Sequence, residues 1–183
     1  MKISIHQANF FPYQGFFQKI EQVDLFVIMT HCQFEKNNYQ NRFNIGDKWY
    51  TMSVNSGLEP IQNKKYVNHK KDWKSISSQL PICKEFDDCI SDNLAETNIS
   101  IIKRACKLLG IKTKIAYDYH TSLSGTARLV DICKKFKADT YLSGISGKNY
   151  LNLQLFDRAE INVEFQENII NKPLVNLLSD AGI

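Results

Sequence analysis

Ile3-Ser4-Ile5-His6-Gln7-Ala8-Asn9-Phe10-Phe11-Pro12-Tyr13-Gln14-Gly15-Phe16-Phe17 sets the plan of the chain. Ile3 and Ile5, with no charge between them, read as a short strand. From Gly15 onward the pattern is helical: Phe16, Phe17, Ile20 and Val23 share one face, while Lys19, Glu21 and Gln22 turn outward. His6 to Tyr13 is then a strand-to-helix connection. Asp24 to Met29 follows as a continuous apolar run, which suits a strand covered on both faces, so strand, helix and strand make a βαβ unit with parallel strands. In open α/β sheets ligands bind beyond the carboxyl ends of the strands. A loop carrying an imidazole, two carboxamides and a phenol, stiffened by Pro12, therefore stands where a site is expected. Phe10, Phe11, Phe16 and Phe17 belong to the core, and a single histidine serves in structure as often as in chemistry.

Beyond this unit, Arg42 to Ile45 and Lys48 to Val54 alternate polar with apolar residues about a Gly46-Asp47 turn, the signature of an antiparallel hairpin, expected at one edge of the sheet. A short helix is expected over Asp72 to Leu80, ended by Pro81, and a long one between Phe86 and Gly110, where Leu94, Ile101, Ile102, Ala105, Leu108 and Leu109 recur at helical spacing. The second half alternates strand and helix: strands at Thr113 to Tyr117, Thr140 to Ser143 and Ile161 to Phe165, helices at Ala127 to Phe136 and Tyr150 to Ala159, and a last helical turn or two from Pro173 to Gly182. The economical fold is α/β, a single domain over residues 1–183 with a mostly parallel, Rossmann-like sheet flanked by helices and a hairpin near residues 42–54.

A chain of 183 residues that is 43% hydrophobic fills one core and does not require two. Its 23 Lys and Arg against 19 Asp and Glu leave +4, too mild to argue for a nucleic-acid partner and compatible with an anionic small ligand. No apolar run before Gln7 makes a signal peptide, and nowhere do about twenty apolar residues run together as a membrane span requires, so a cytoplasmic location is expected. The 5 cysteines, Cys32, Cys83, Cys89, Cys106 and Cys133, are odd in number and lack a CxxC pair, which argues for reduced thiols rather than a disulfide framework or zinc site. His6, His31, His69 and His120 stand at no ligand spacing, and no metal is expected.

Two further stretches carry candidate chemistry. Ser143-Gly144-Ile145-Ser146-Gly147-Lys148 is a strand-to-helix loop whose glycines let backbone N–H groups approach an anion, with Lys148 as a point charge. It is not a P-loop: two residues separate its glycines, and Asn149 stands where Ser or Thr would hold magnesium. The run Gln33 to Arg42 follows the second strand at the same end of the sheet as His6. Its amides can bond a polyhydroxylated ligand on several edges, and Arg42 can take a carboxylate or phosphate in bidentate fashion. The plain alternatives are a tight turn with an exposed lysine and a loop of solvated amides. The basic cluster Lys64, Lys65, Lys70 and Lys71 reads first as a solvated loop.

At these three stretches the chain resembles the WbqC-like family of bacterial proteins. The opening signature is matched by His6, Gln7, Asn9, Pro12, Tyr13, Gly15, Phe16 and Phe17, with Ala8 in place of a proline. The next appears as Gln33-Phe34-Glu35-Lys36, Gln40-Asn41-Arg42 and Trp49, with Cys32 where valine is usual and His31 where an acidic residue is common. The last is Tyr141-Leu142-Ser143-Gly144, Gly147-Lys148 and Tyr150-Leu151. The resemblance implies an enzyme of surface-polysaccharide (O-antigen) biosynthesis that transfers an acyl or aminoacyl group to the amine of a nucleotide-linked amino sugar. It implies a catalytic set of His6, Lys36 and Arg42, with His6 as general base, and a substrate-binding set of Gln7, Asn9, Tyr13, Gln33, Asn41, Ser143, Gly144, Gly147, Lys148 and Tyr150. The donor is then an acyl-CoA or a carboxylate activated by ATP. Two alternatives stay open: a nucleotidylyltransferase-like, adenylate-forming enzyme, although Gln7 and Asn9 and no second histidine stand close after His6, and a non-catalytic sugar-nucleotide-binding protein.

Overall fold

The computed structural model describes residues 1–183, in the order β1 (Lys2–Gln7), α1 (Gln14–Glu21), β2 (Leu25–Met29), β3 (Arg42–Ile45), β4 (Lys48–Thr51), α2 (His69–Gln79), α3 (Leu94–Leu108), β5 (Lys114–Tyr117), α4 (Gly125–Lys135), β6 (Thr140–Ser143), α5 (Leu153–Asp157), β7 (Asn162–Phe165) and α6 (Leu174–Asp180). Five strands pair in parallel in the order β5-β2-β1-β6-β7. The chain walks outward from β1 through β2 to β5, then returns to the other side of β1 for β6 and β7. The order therefore turns back between β1 and β6, and the carboxyl ends of those two strands border the crevice where such sheets take ligands.

Strand periodicity divides the core in two. Ile3, Ile5, Val27 and Tyr141 face α4 and α5, with Tyr141 stacked on Phe156 at 5.2 Å. Phe26, Ile28 and Leu142 face the larger core with Phe16, Phe17 and Ile20 of α1, Ile101, Ile102 and Ala105 of α3, and Leu174 and Leu178 of α6. Burial of both faces explains why the inner strands read as continuous apolar runs.

The hairpin stands apart from the main sheet. Its expected place at a sheet edge is corrected: β3 and β4 form their own two-stranded sheet, joined by Gly46 at φ +56 and Asp47. The reason is aromatic packing. Phe43 stacks on Phe11 at 4.9 Å and on Tyr50 at 5.2 Å, so the hairpin is held against the large core by its inward rings rather than by backbone pairing. Phe11 takes φ +47 to reach Phe43, Trp73 and Phe86, which carries the chain from β1 under the hairpin.

Two further expectations give way. The helix expected from Tyr150 starts only at Leu153, because residues Ile145–Asn149 close into a 3-10 turn whose Gly147 carbonyl accepts from Tyr150 and Leu151 N–H. Lys19, expected in solvent, is 4% exposed. The start of α1 is overlaid by the segment after β7: Gln14 and Gly15 N–H donate to the Lys172 and Ile170 carbonyls at 2.7 and 3.0 Å, and Gln166 Nε2 donates to Gly15 O at 2.7 Å. No helix is long and apolar enough to cross a membrane.

Candidate functional site

A cleft of about 770 Å³ opens beyond the carboxyl ends of β1 and β2. Its floor comes from the last two residues of β1, His6 and Gln7, which were expected in the connection and instead end the strand, and from the loop that follows, with Asn9 and Tyr13. One wall is the segment after β2, with His31, Cys32, Gln33, Glu35, Asn38 and Tyr39, and the other is the start of α4, with Ser124, Gly125 and Arg128, plus Tyr150. Tyr13 and Tyr39 also line a second, adjoining cleft of about 680 Å³ floored by Phe11 and Phe43.

The loops are held in place by amides. Gln40, fully buried, donates from Nε2 to Gln7 Oε1 at 2.7 Å and accepts from Glu35 N–H at 2.8 Å. Asn98 of α3 donates to the Ala8 and Gln40 carbonyls at 2.8 and 2.7 Å, tying the two loops to one helix. Ala8 N–H continues the sheet onto Met29 O at 3.1 Å, and Phe10 N–H bonds Tyr39 O at 2.8 Å. Part of the amide richness after β2 thus satisfies buried backbone groups.

Of the residues expected in the site, His6, Gln7, Asn9, Tyr13, Gln33 and Tyr150 line the cleft. The others lie elsewhere. Arg42 packs its guanidinium 4.0 Å above the Trp49 ring and donates to Asn37 O, so it braces the hairpin. Asn41 is buried and donates to Met52 O at 2.8 Å. Lys36 is exposed on the loop. In the late loop Ser143 is buried with Oγ on Gly144 O, and a Cβ at Gly147 would lie 2.1 Å from that Oγ, so Gly147 is demanded by close packing. Gly144 has open space around it. Lys148 holds its ammonium over the Phe165 ring at 5.4 Å.

His6 is half-buried, its ring edge-on to Phe16 at 5.0 Å. Nδ1 lies 3.0 Å from Gln7 O. A carbonyl only accepts, so Nδ1 carries the proton and Nε2 keeps its lone pair. Burial first, and the Lys19 ammonium second, push this imidazole down to about 3, so it is neutral at physiological pH. Burial alone brings Lys19 down to about 7. Cys32 remains a thiol, raised to about 11 by burial and then by Asp118.

The structure adds a group that the sequence did not single out. Asp118, just past β5 and with its side chain fully buried, accepts from Thr30 N–H at 2.8 Å and from His31 Nδ1 at 3.0 Å, and is paired with Arg128 Nη2. Arg128 Nη1 and Nη2 also reach the His31 and Tyr119 carbonyls. These residues come from the ends of β2 and β5 and the first turn of α4, brought together because β2 and β5 are neighbours. A signal was present: an arginine in the first turn opposes the helix dipole and needs a carboxylate to offset it.

The WbqC-like protein family matches residues 7–173. The chain is also similar to the uncharacterized protein Rv1507c of Mycobacterium tuberculosis, with 29% identity over 193 residues, 88% of this chain and 80% of that one. No solved structure matches it.

Proposed function

The chain belongs to the WbqC-like protein family, and on that premise we propose that its cleft takes a nucleotide-linked amino sugar and transfers an acyl or aminoacyl group to the sugar's amine in surface-polysaccharide biosynthesis. The observation that carries this reading is the position and lining of the cleft. It lies at the carboxyl end of a parallel sheet, beside the point where strand order turns back, and its volume of about 770 Å³ suits a ligand of that size. Gln7, Asn9, Gln33 and Asn38 offer amide edges to sugar hydroxyls, and Tyr13, Tyr39 and Tyr150 offer ring faces to a sugar or base. Ser124 and Gly125 set the positive end of an 11-residue helix on the rim, where a diphosphate is stabilised.

A second reading has an observation of its own. With the strands numbered by their order along the sheet-forming chain, the sheet runs 3-2-1-4-5, and its 3-2-1 part has the strand order of a mononucleotide-binding half. It favours ATP in the same crevice, activating a carboxylate before its transfer.

Titration calorimetry with UDP- and dTDP-linked amino sugars, ATP and acetyl-CoA separates these readings. A nucleotide amino sugar is expected to bind, Asn9→Ala and Tyr150→Ala to weaken it by about tenfold each, and Arg42→Ala to change it less than twofold. Binding of ATP in preference to any sugar nucleotide favours the adenylate-forming reading. Binding without turnover under every acyl donor leaves a sugar-nucleotide-binding protein. No binding of any nucleotide sugar ends the proposal.

A further inference from the structure

We propose that His31 is the proton-transfer group of this cleft, with Asp118 as its positioning residue and Arg128 as the group that holds Asp118. The inference rests on the transfer reading for the reaction it serves, but the geometry stands by itself. Asp118 Oδ1 lies 3.0 Å from His31 Nδ1. A carboxylate only accepts, so Nδ1 bears the hydrogen and Nε2 is left with a free lone pair. The ring is pinned at both ends of its backbone as well: His31 N–H donates to Asp118 at 3.3 Å, and His31 O accepts from Arg128 at 3.4 Å. The Asp118 side chain is completely buried while that of His31 is 21% exposed and lines the cleft, so the carboxylate acts through the ring and never on a ligand.

His6, on the neighbouring strand, lacks this arrangement. Its Nδ1 donates to an uncharged carbonyl, and the cation behind it is Lys19. A base so weakly proton-seeking gains little from an amine in need of deprotonation. His6 is the neutral hydrogen-bonding partner for the ligand, and His31 the base.

In the step this assigns, the sugar amine's nitrogen bonds to the carbonyl carbon of an activated acyl donor, a thioester or acyl phosphate, and the carbonyl π pair moves to oxygen. His31 Nε2 takes the N–H proton. Collapse re-forms the carbonyl and breaks the bond to the leaving group, which departs with its electron pair and receives the proton back from the imidazolium. Asp118 stabilises the positive charge that the ring carries between these two events.

Two measurements on the full chain test the assignment. The first needs no substrate: diethyl pyrocarbonate acylates an open, unprotonated imidazole nitrogen, and peptide mass mapping follows each histidine. His31 is expected to react at least tenfold faster than His6, and Asp118→Asn to slow His31 several-fold while leaving His69 and His120 unchanged. An unreactive His31, or one indifferent to Asp118→Asn, overturns the proposal. The second is turnover with an amino-sugar nucleotide and acetyl-CoA: His31→Gln is expected to lower kcat about a hundredfold with KM within threefold, and free imidazole to restore part of the activity of His31→Ala. A His31→Gln enzyme with normal kcat overturns it. If the wild type transfers nothing, the transfer reading fails and the acylation map alone decides the dyad.

Discussion

Two histidines stand at the carboxyl ends of adjacent parallel strands and face one cleft, yet their surroundings make them different groups. His6 is the penultimate residue of β1, rests edge-on against Phe16, donates to a carbonyl and has a buried ammonium behind it. His31 follows β2, donates to a buried carboxylate and shares that carboxylate with a guanidinium. Residue type is the same, and each histidine stands within two residues of a strand's carboxyl end. What differs is the charge that the neighbouring element brings: Lys19 from α1 on one side of the sheet, Asp118 from the end of β5 beside β2. A histidine near a strand end is therefore not a role until its second nitrogen has a named partner.

The sharpest way to break this contrast is to remove the carboxylate. Asp118→Ala leaves the Arg128 guanidinium buried and unpaired and frees the Thr30 and His31 N–H groups. A loss of about 3–5 kcal/mol is expected in chemical denaturation. A loss under 1 kcal/mol would mean that water readily replaces Asp118, and the rigid dyad would not exist.

A second test uses acid. The unfolded chain binds a proton on His6 near 6.5, whereas the folded chain resists until about 3. Between those values the unfolded state holds more protons, so stability falls as the pH drops, by at most about 1.4 kcal/mol for each unit. His6→Gln is expected to flatten the dependence of unfolding free energy on pH across that window. An unchanged slope would place the His6 titration in its ordinary range and remove half of the comparison.

The third effect is smaller and has the same sign, stability again rising with pH but across a higher window. Lys19 is buried, and burial alone depresses it from 10.5 to about 7. Below pH 7 the folded protein carries a buried ammonium at a cost, and this cost fades as the pH rises from 7 to 10.5. Lys19→Met is expected to stabilise the protein by about 1–3 kcal/mol at pH 6, measured by thermal and urea unfolding, with the gain shrinking toward pH 10. The substitution also removes the cation beside His6, so the His6 ring should titrate higher by NMR.

Much of the scaffold could be read from local pattern. The apolar runs at Leu25–Met29 and Thr140–Ser143 and the helical spacing from Leu94 to Leu108 appear as expected, because strand and helix period are imprinted on residues a few positions apart. The loop after β1 was likewise found as cleft floor, since a strand's carboxyl end in a parallel sheet carries a directional meaning. Lys19 misled because a polar helix position is exposed only if nothing covers it, and Lys19 is buried with Phe16, Phe17 and Ile20 of α1, close enough to His6 to act on its imidazole. Arg42 and Lys148 stand outside the cleft lining, each with its cation over a ring face, a placement that their sequence neighbours do not signal.

The sequence by itself determined the class of fold, the order of its elements and the end of the sheet at which chemistry is expected, all consequences of short-range periodicity and of chain direction. Only the tertiary structure decided which loops meet. His31 and Asp118 are 87 residues apart, and His31 and Arg128 are 97 apart. They touch because β5 pairs with β2, a choice made by the packing of whole faces: the position of Arg128 in a first helical turn calls for a carboxylate, but nothing local says that it is Asp118 or that His31 joins them.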